Sequence, residues 1–257
     1  MIRIGTSGYS YKDWKGTFYP NNIDKKEMLS YYAKEFNFTE VNSTYYKMPN
    51  QYMIYNMMRK TPKNFTFVVK AFGGITHKRD NLKRDADIFL NSLIPLIEGK
   101  KLGCILAQFP YSFHKTPGNI EYLKRMREAF KDIPVAVEFR TAEWIDDKVF
   151  NLMERENLAF VCVDEPQIEG LLPPVAAATA DIGYVRFHGR NAAKWYNHSE
   201  PYERYNYLYS KEELQEWVPK IRELAARTLM VFIAMNNHFN AQAVINAREL
   251  LELIKTS

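Results

Sequence analysis

Cysteine is nearly missing: among the 257 residues only Cys104 and Cys162 occur. Both sit inside apolar, strand-like runs with no CxxC spacing and no histidine beside them, so they read as small buried hydrophobes rather than a metal or redox pair. HExxH is also absent, which removes the plainest zinc-hydrolase signature. No apolar run approaches the roughly 18 residues of a membrane span. The chain opens directly on strand-like Ile2-Arg3-Ile4, with no secretory signal ahead of it. A soluble, cytoplasmic protein with no membrane partner is expected, and the glycosylation-like triplets at Asn42 and Asn197 are expected to be chance. Charge of one sign is scarcely in excess: the net value is +5. That pulls only mildly toward anionic partners, and a solvated basic surface accounts for it.

What is present is a large apolar fraction, 46% of residues, in a chain close to the roughly 250 residues of one eightfold β/α barrel. The stretch Pro134 to Trp144 is the most telling. Val135, Val137 and Phe139 fall on one face of an extended segment, and Ala136, Glu138 and Arg140 on the other. Charges facing away from the apolar side do not suit a dry core. They suit a barrel strand whose luminal face opens at its carboxyl end, where such barrels carry their chemistry.

The remaining chain alternates in the same way. Strands are expected at 3–5, 39–42, 65–70, 102–108, 135–140, 159–164, 184–188 and 229–234. Helices are expected at 25–36, 51–59, 85–97, 120–130, 147–156, 211–226 and 241–254, from apolar residues at helical spacing such as Met28, Leu29, Tyr32 and Phe36. Phe109-Pro110 ends one strand, and a proline-containing loop with Pro166, Pro173 and Pro174 follows another. Eight strands alternating with helices, without linker or internal repeat, predict an α/β fold, a single TIM-like (β/α)8 barrel with parallel strands spanning the chain. An open doubly wound sheet is the structural alternative.

Alternation applied to each strand gathers polar residues on one face near the carboxyl ends: Glu40, Asn42, Lys70, Gln108, Glu138, Arg140, Asp164, Arg186, His188 and Asn236. Taken singly, each is more often a solvated or salt-bridged group; their agreement across seven strands points to a site. Glu138 and His188 are the candidate acid–base pair, and Lys70 a third candidate catalytic group, able to act as a Schiff-base lysine if its pKa is lowered. Arg140, Arg186 and Arg190 read as a clamp for phosphate or carboxylate, or as partners neutralising Glu40, Glu138 and Asp164. His77, His114 and His198 read as loop residues, and His238 as a rim residue. Glu138, Asp164 and His188 are N/O ligands from successive strands, but the nearby arginines would repel a cation; no cofactor is expected, and a divalent metal is the less favoured alternative. The loop from Arg190 to Ser210 interleaves Trp195, Tyr196, Tyr202, Tyr205, Tyr207 and Tyr209 with Lys194, Arg204 and His198. It packs on the rim or, less favoured, stacks nucleotide bases.

Several segments together are similar to the YecE-like family, domain-of-unknown-function family 72: Ile4-Gly5-Thr6-Ser7-Gly8, Gly16-Thr17-Phe18-Tyr19-Pro20, Val41 to Tyr46, Thr61-Pro62 with Lys70 and Ile75-Thr76-His77, Gln108-Phe109-Pro110, Val137 to Arg140 with Trp144, Arg186 to Arg190, and Asn236-Asn237. The resemblance implies a TIM-like barrel and brings no established reaction. Tyr9, Met57, Met235 and Thr141 depart from the family pattern; the last replaces a histidine that often follows Phe-Arg. Together these observations predict a barrel enzyme that acts by acid–base chemistry on a phosphorylated or other anionic small molecule at the carboxyl-end mouth. Hydrolysis, elimination and isomerisation all fit that description. The alternative is a non-catalytic nucleic-acid-binding barrel with a basic, aromatic rim.

Overall fold

In the computed structural model, which describes residues 1–256, eight parallel strands close on themselves in sequence order. They are β1 (Ile2–Thr6), β2 (Phe38–Val41), β3 (Thr66–Lys70), β4 (Leu102–Gln108), β5 (Val135–Glu138), β6 (Leu158–Asp164), β7 (Ile182–Phe187) and β8 (Met230–Met235). Closure is made by β8 returning to β1, with Ile4 beside Ile233 and Gly5 beside Ala234. Outside lie α1 (Met28–Tyr32), α2 (Ser43–Tyr46), α3 (Gln51–Arg59), α4 (Leu82–Glu98), α5 (Pro117–Phe130), α6 (Asp147–Arg155), α7 (Ala192–Trp195), α8 (Lys211–Gln215), α9 (Val218–Arg227) and α10 (Gln242–Thr256). This is the TIM-like (β/α)8 architecture. No helix among the described residues is long and apolar enough to cross a membrane.

The lumen is apolar at one end and charged at the other. Phe38 and Tyr184 both pack on Phe232, with centroids 5.2 and 6.1 Å away. Gly103 is needed beside them, because a Cβ there would lie 2.6 Å from the Phe232 ring. Higher up, the Tyr184 hydroxyl donates to Glu40 at 2.8 Å, and the polar layer begins.

The helix expected at 25–36 is helical only over α1. Hydrogen-bonded turns flank it, and Met28, Leu29, Tyr32 and Phe36 are buried as the spacing requires. The helix expected at 211–226 is two helices: Pro219 in the first turn of α9 has no N–H to continue the ladder, and Trp217 sits at the break. Between β6 and β7 there is no helix among the described residues. An irregular segment lies against β6 instead, with the Thr179 hydroxyl donating to the Leu158 carbonyl and accepting from the Phe160 N–H.

Candidate functional site

Glu138 ends β5 inside the lumen, fully buried, and organises the polar layer. Its Oε2 lies 2.5 Å from Arg186 Nη1, and its Oε1 lies 2.9 Å from Arg140 Nη2. Arg186 reaches across the barrel with its other nitrogen to Glu40 Oε1 at 2.7 Å. Burial alone would raise the Glu138 pKa, but the charges of Arg186 and Arg140 prevail and hold it well below the carboxylate range. Glu138 is therefore an anion of low basicity while both guanidiniums stay in place.

His188 follows β7 and is fully buried. Its Nδ1 accepts from the Asn236 amide nitrogen at 2.9 Å, so the ring proton belongs on Nε2. That Nε2 lies 3.3 Å from Glu138 Oε1 without a well-formed hydrogen bond. Burial lowers the His188 pKa to about 4, which leaves a neutral ring at neutral pH. It is suited to donate a hydrogen bond and not to deliver a proton as an imidazolium.

Lys70 ends β3 on the luminal side. Its Nζ donates to Gln108 Oε1 at 2.7 Å and lies 5.0 Å from the Tyr45 ring centroid. Burial, helped by the Arg186 charge, lowers its pKa to about 8. Lys70, Gln108 and Arg140 form part of the lining of a mouth cavity of about 360 Å³, whose walls include Tyr45, His77, Tyr111, Trp195, Arg204 and Tyr205. A larger groove of about 950 Å³ lies on the outer helices between Leu82 and Arg125, away from every strand end. The mouth cavity is the candidate site, because the perturbed titratable groups converge there and not on the groove.

Three expected placements need correction. Asp164 does not face the lumen: its carboxylate accepts from Trp217 Nε1 at 2.7 Å, from the Tyr209 hydroxyl at 2.8 Å and from Arg190 at 2.7 and 2.9 Å. These partners lie in the layer between barrel and helices. Arg190 is thus held outside the mouth, with Glu216 a further partner at 2.8 Å. The Glu138, Asp164 and His188 trio is consequently not brought together. Asn42 does not continue β2; its backbone is helical and it caps α2, although its Oδ1 is buried without a partner.

The residue after Asp164 takes its place. Glu165 is buried, its Oε1 accepts from the Leu172 N–H at 3.2 Å, and its Oε2 lies 3.7 Å from Arg140 Nη1 with no hydrogen-bond partner. Burial raises its pKa to about 7, against the opposing pull of Arg140. The sequence signal for it was only the adjacent acid pair: β6 is buried on both faces, so nothing in its polarity chose between Asp164 and Glu165. His77, expected in a loop, belongs to the cavity wall. It lies in a single turn of π-helix, Gly74–Lys78, its Nδ1 is 3.0 Å from the Thr76 hydroxyl, and its ring packs edge-on against Tyr45.

A family model described as "Protein of unknown function DUF72" matches residues 3–257. The chain belongs to the DUF72 family. The YecE-like resemblance names this same family. One relative, the UPF0759 protein YunF of Bacillus subtilis (strain 168), is 33% identical over 272 aligned positions that cover 99% of this chain and 95% of YunF. Among solved structures, a DUF72 family protein from Thermotoga maritima MSB8 is 38% identical, with a TM-score of 0.92 over 99% of both chains. Another DUF72 family protein, from Enterococcus faecalis V583, is 29% identical, with a TM-score of 0.89 over 100% of this chain and 96% of its own. None of these descriptions names a reaction, so for this DUF72 chain the chemistry rests on the site itself.

Proposed function

We propose that this DUF72 protein is an enzyme performing acid–base chemistry on a small anionic, phosphate-bearing substrate at the barrel mouth. The observation that carries this reading is the make-up of the cavity wall: Lys70, Arg140 and Arg204 are among its lining residues and no carboxylate is. Cations gathered in a concave, partly desolvated space attract anions strongly, and the guanidinium of Arg140 offers a planar fork to phosphate or carboxylate. Tyr45, Tyr111 and Tyr205 add apolar faces with phenolic tips.

Two groups have pKa values near neutrality: Lys70, in the cavity wall, at about 8, and Glu165, buried 3.7 Å from Arg140, at about 7. Those are the values general acid–base catalysis favours. Glu138 and His188 lie beneath the floor, and their part is to hold Arg140 and tune its field. A substrate anion that draws Arg140 upward would leave Glu138 more basic, so binding would activate it. Thermal stabilisation by phosphate, sulfate and nucleotide panels tests the reading. Anions should stabilise the wild type and leave Arg140→Gln unmoved; equal response of the two proteins would overturn it.

The exposed rings of Tyr46, Tyr111, Tyr196 and Tyr202 favour a second reading, a rim that stacks single-stranded nucleic acid. Strongly salt-dependent binding to many single strands, unchanged in Glu138→Gln, would support it over the first.

A further inference from the structure

Each arginine at the strand ends is met by carboxylate: Arg140 by Glu138 and Glu165, Arg186 by Glu138 and Glu40, Arg190 by Asp164 and Glu216. Lys70 is different. Among the described residues no carboxylate oxygen comes within ion-pair distance of its Nζ, whose hydrogen-bond partner is the neutral amide oxygen of Gln108 at 2.7 Å. A lysine whose task was to neutralise a buried acid would not be placed so. Its backbone is fixed by the Thr44 hydroxyl, which donates to the Lys70 carbonyl at 2.5 Å, and its side chain opens into the mouth cavity beside Arg140 and Arg204.

We propose that Lys70 Nζ is a covalent nucleophile that forms an imine with an anionic carbonyl compound, either a 2-oxo acid or an aldehyde or ketone phosphate. This inference rests on the anionic-substrate reading and adds the carbonyl. Arg140 and Arg204 take the anionic group, which sets the carbonyl carbon against the amine. Lys70 loses a proton to solvent, its nitrogen lone pair forms the C–N bond as the C=O π electrons move to oxygen, and a second proton passes from that nitrogen to the oxygen to give the carbinolamine. That oxygen leaves as water with a further proton, giving a protonated C=N; overall, one ammonium and one carbonyl yield one iminium and one water. Gln108 Oε1 orients the nitrogen, and the Tyr45 face stabilises the positive charge both before and after condensation. The lowered pKa of Lys70 supports the step, since it supplies free amine near neutral pH.

The test is reductive trapping on the full chain near neutral pH. Glyoxylate and pyruvate serve as 2-oxo acids, and glyceraldehyde 3-phosphate and dihydroxyacetone phosphate as carbonyl phosphates, each with sodium borohydride and peptide mapping. Lys70 should be labelled at least ~10-fold faster than exposed Lys47 and Lys131 of the same molecules, since Arg140 and Arg204 hold the probe in the cavity beside it. Inorganic phosphate should slow its labelling and leave theirs unchanged. The internal reference keeps the test independent of whether a Lys70→Met protein folds. Labelling of Lys70 no faster than of Lys47 with every probe overturns the imine. If phosphate still stabilises the protein in that case, the anionic-substrate reading stands without it; if phosphate gives no stabilisation, both fall.

Discussion

Arg186 Nη1 and Glu138 Oε2 meet at 2.5 Å across the lumen, joining the end of β5 to β7 at a point where neither side chain reaches water. The same guanidinium also bonds Glu40 on β2, so one cation ties three staves of the barrel. A buried charge is tolerable only while its partners remain.

Arg186→Met should accordingly destabilise the protein by about 3–5 kcal/mol, since it leaves buried Glu40 without its cation and Glu138 with Arg140 alone. Denaturant unfolding measures this. Glu138→Gln in the same background should recover part of the loss by removing a buried charge left with one guanidinium in place of two, and additive losses would show that the two groups are not coupled.

Arg140 and Arg190 should separate binding from stability. Arg140→Gln should weaken phosphate binding about 10- to 100-fold, the value of a charged hydrogen-bond pair. Arg190→Gln should leave phosphate binding unchanged and lower the melting temperature, because Asp164 loses two hydrogen bonds and keeps Tyr209 and Trp217. Calorimetric titration with inorganic phosphate and thermal unfolding read the two effects.

His188 should be neutral with its proton on Nε2 down to a pH of about 4, against an ordinary value of 6.5. Its folded pKa is lowered, so between those values the unfolded chain binds the extra proton. This group's contribution to stability is therefore full above about 6.5 and is lost as pH falls toward 4. Nitrogen NMR of the ring reports both tautomer and titration. A proton on Nδ1, or titration at the ordinary value, would contradict the Asn236 hydrogen bond.

Glu165 carries the opposite sign. Its folded pKa is raised from 4.5 to about 7, so the native state holds a proton that the unfolded state has released. As pH rises from 4.5 to about 7, this group takes stability away. Glu165→Gln, which keeps an acceptor for the Leu172 N–H, should flatten that part of the stability profile and lose turnover if the carboxyl carries a proton in the reaction. An unchanged profile would mean that Glu165 does not titrate near neutrality.

The barrel was legible in the sequence because it depends on local periods: alternation of two along each strand and 3.6 along each helix, repeated until eight strands had been passed. The luminal face of β5 was legible as well, since Ala136, Glu138 and Arg140 contrast with Val135, Val137 and Phe139. On β7 the placement of Arg186 and His188 followed from the same contrast with Val185 and Phe187.

Along β6 that contrast disappears. Leu158 to Val163 is apolar on both sides, because the strand is covered inside by the lumen and outside by the segment before β7 and the outer helices. Only the fold, by bringing Trp217, Tyr209 and Arg190 to the outer face, assigned Asp164 outward and Glu165 inward. Pairing of arginines with acids was equally beyond the sequence, since Arg186 and Glu40 are 146 residues apart and meet only through barrel closure. The sequence by itself determined that polar groups would collect at one mouth, since strands such as β5 and β7 carry their own alternation. Which of them are neutralised and which, like Lys70, meet a neutral partner was decided by tertiary structure, because charge compensation depends on distances across the lumen that no local pattern encodes.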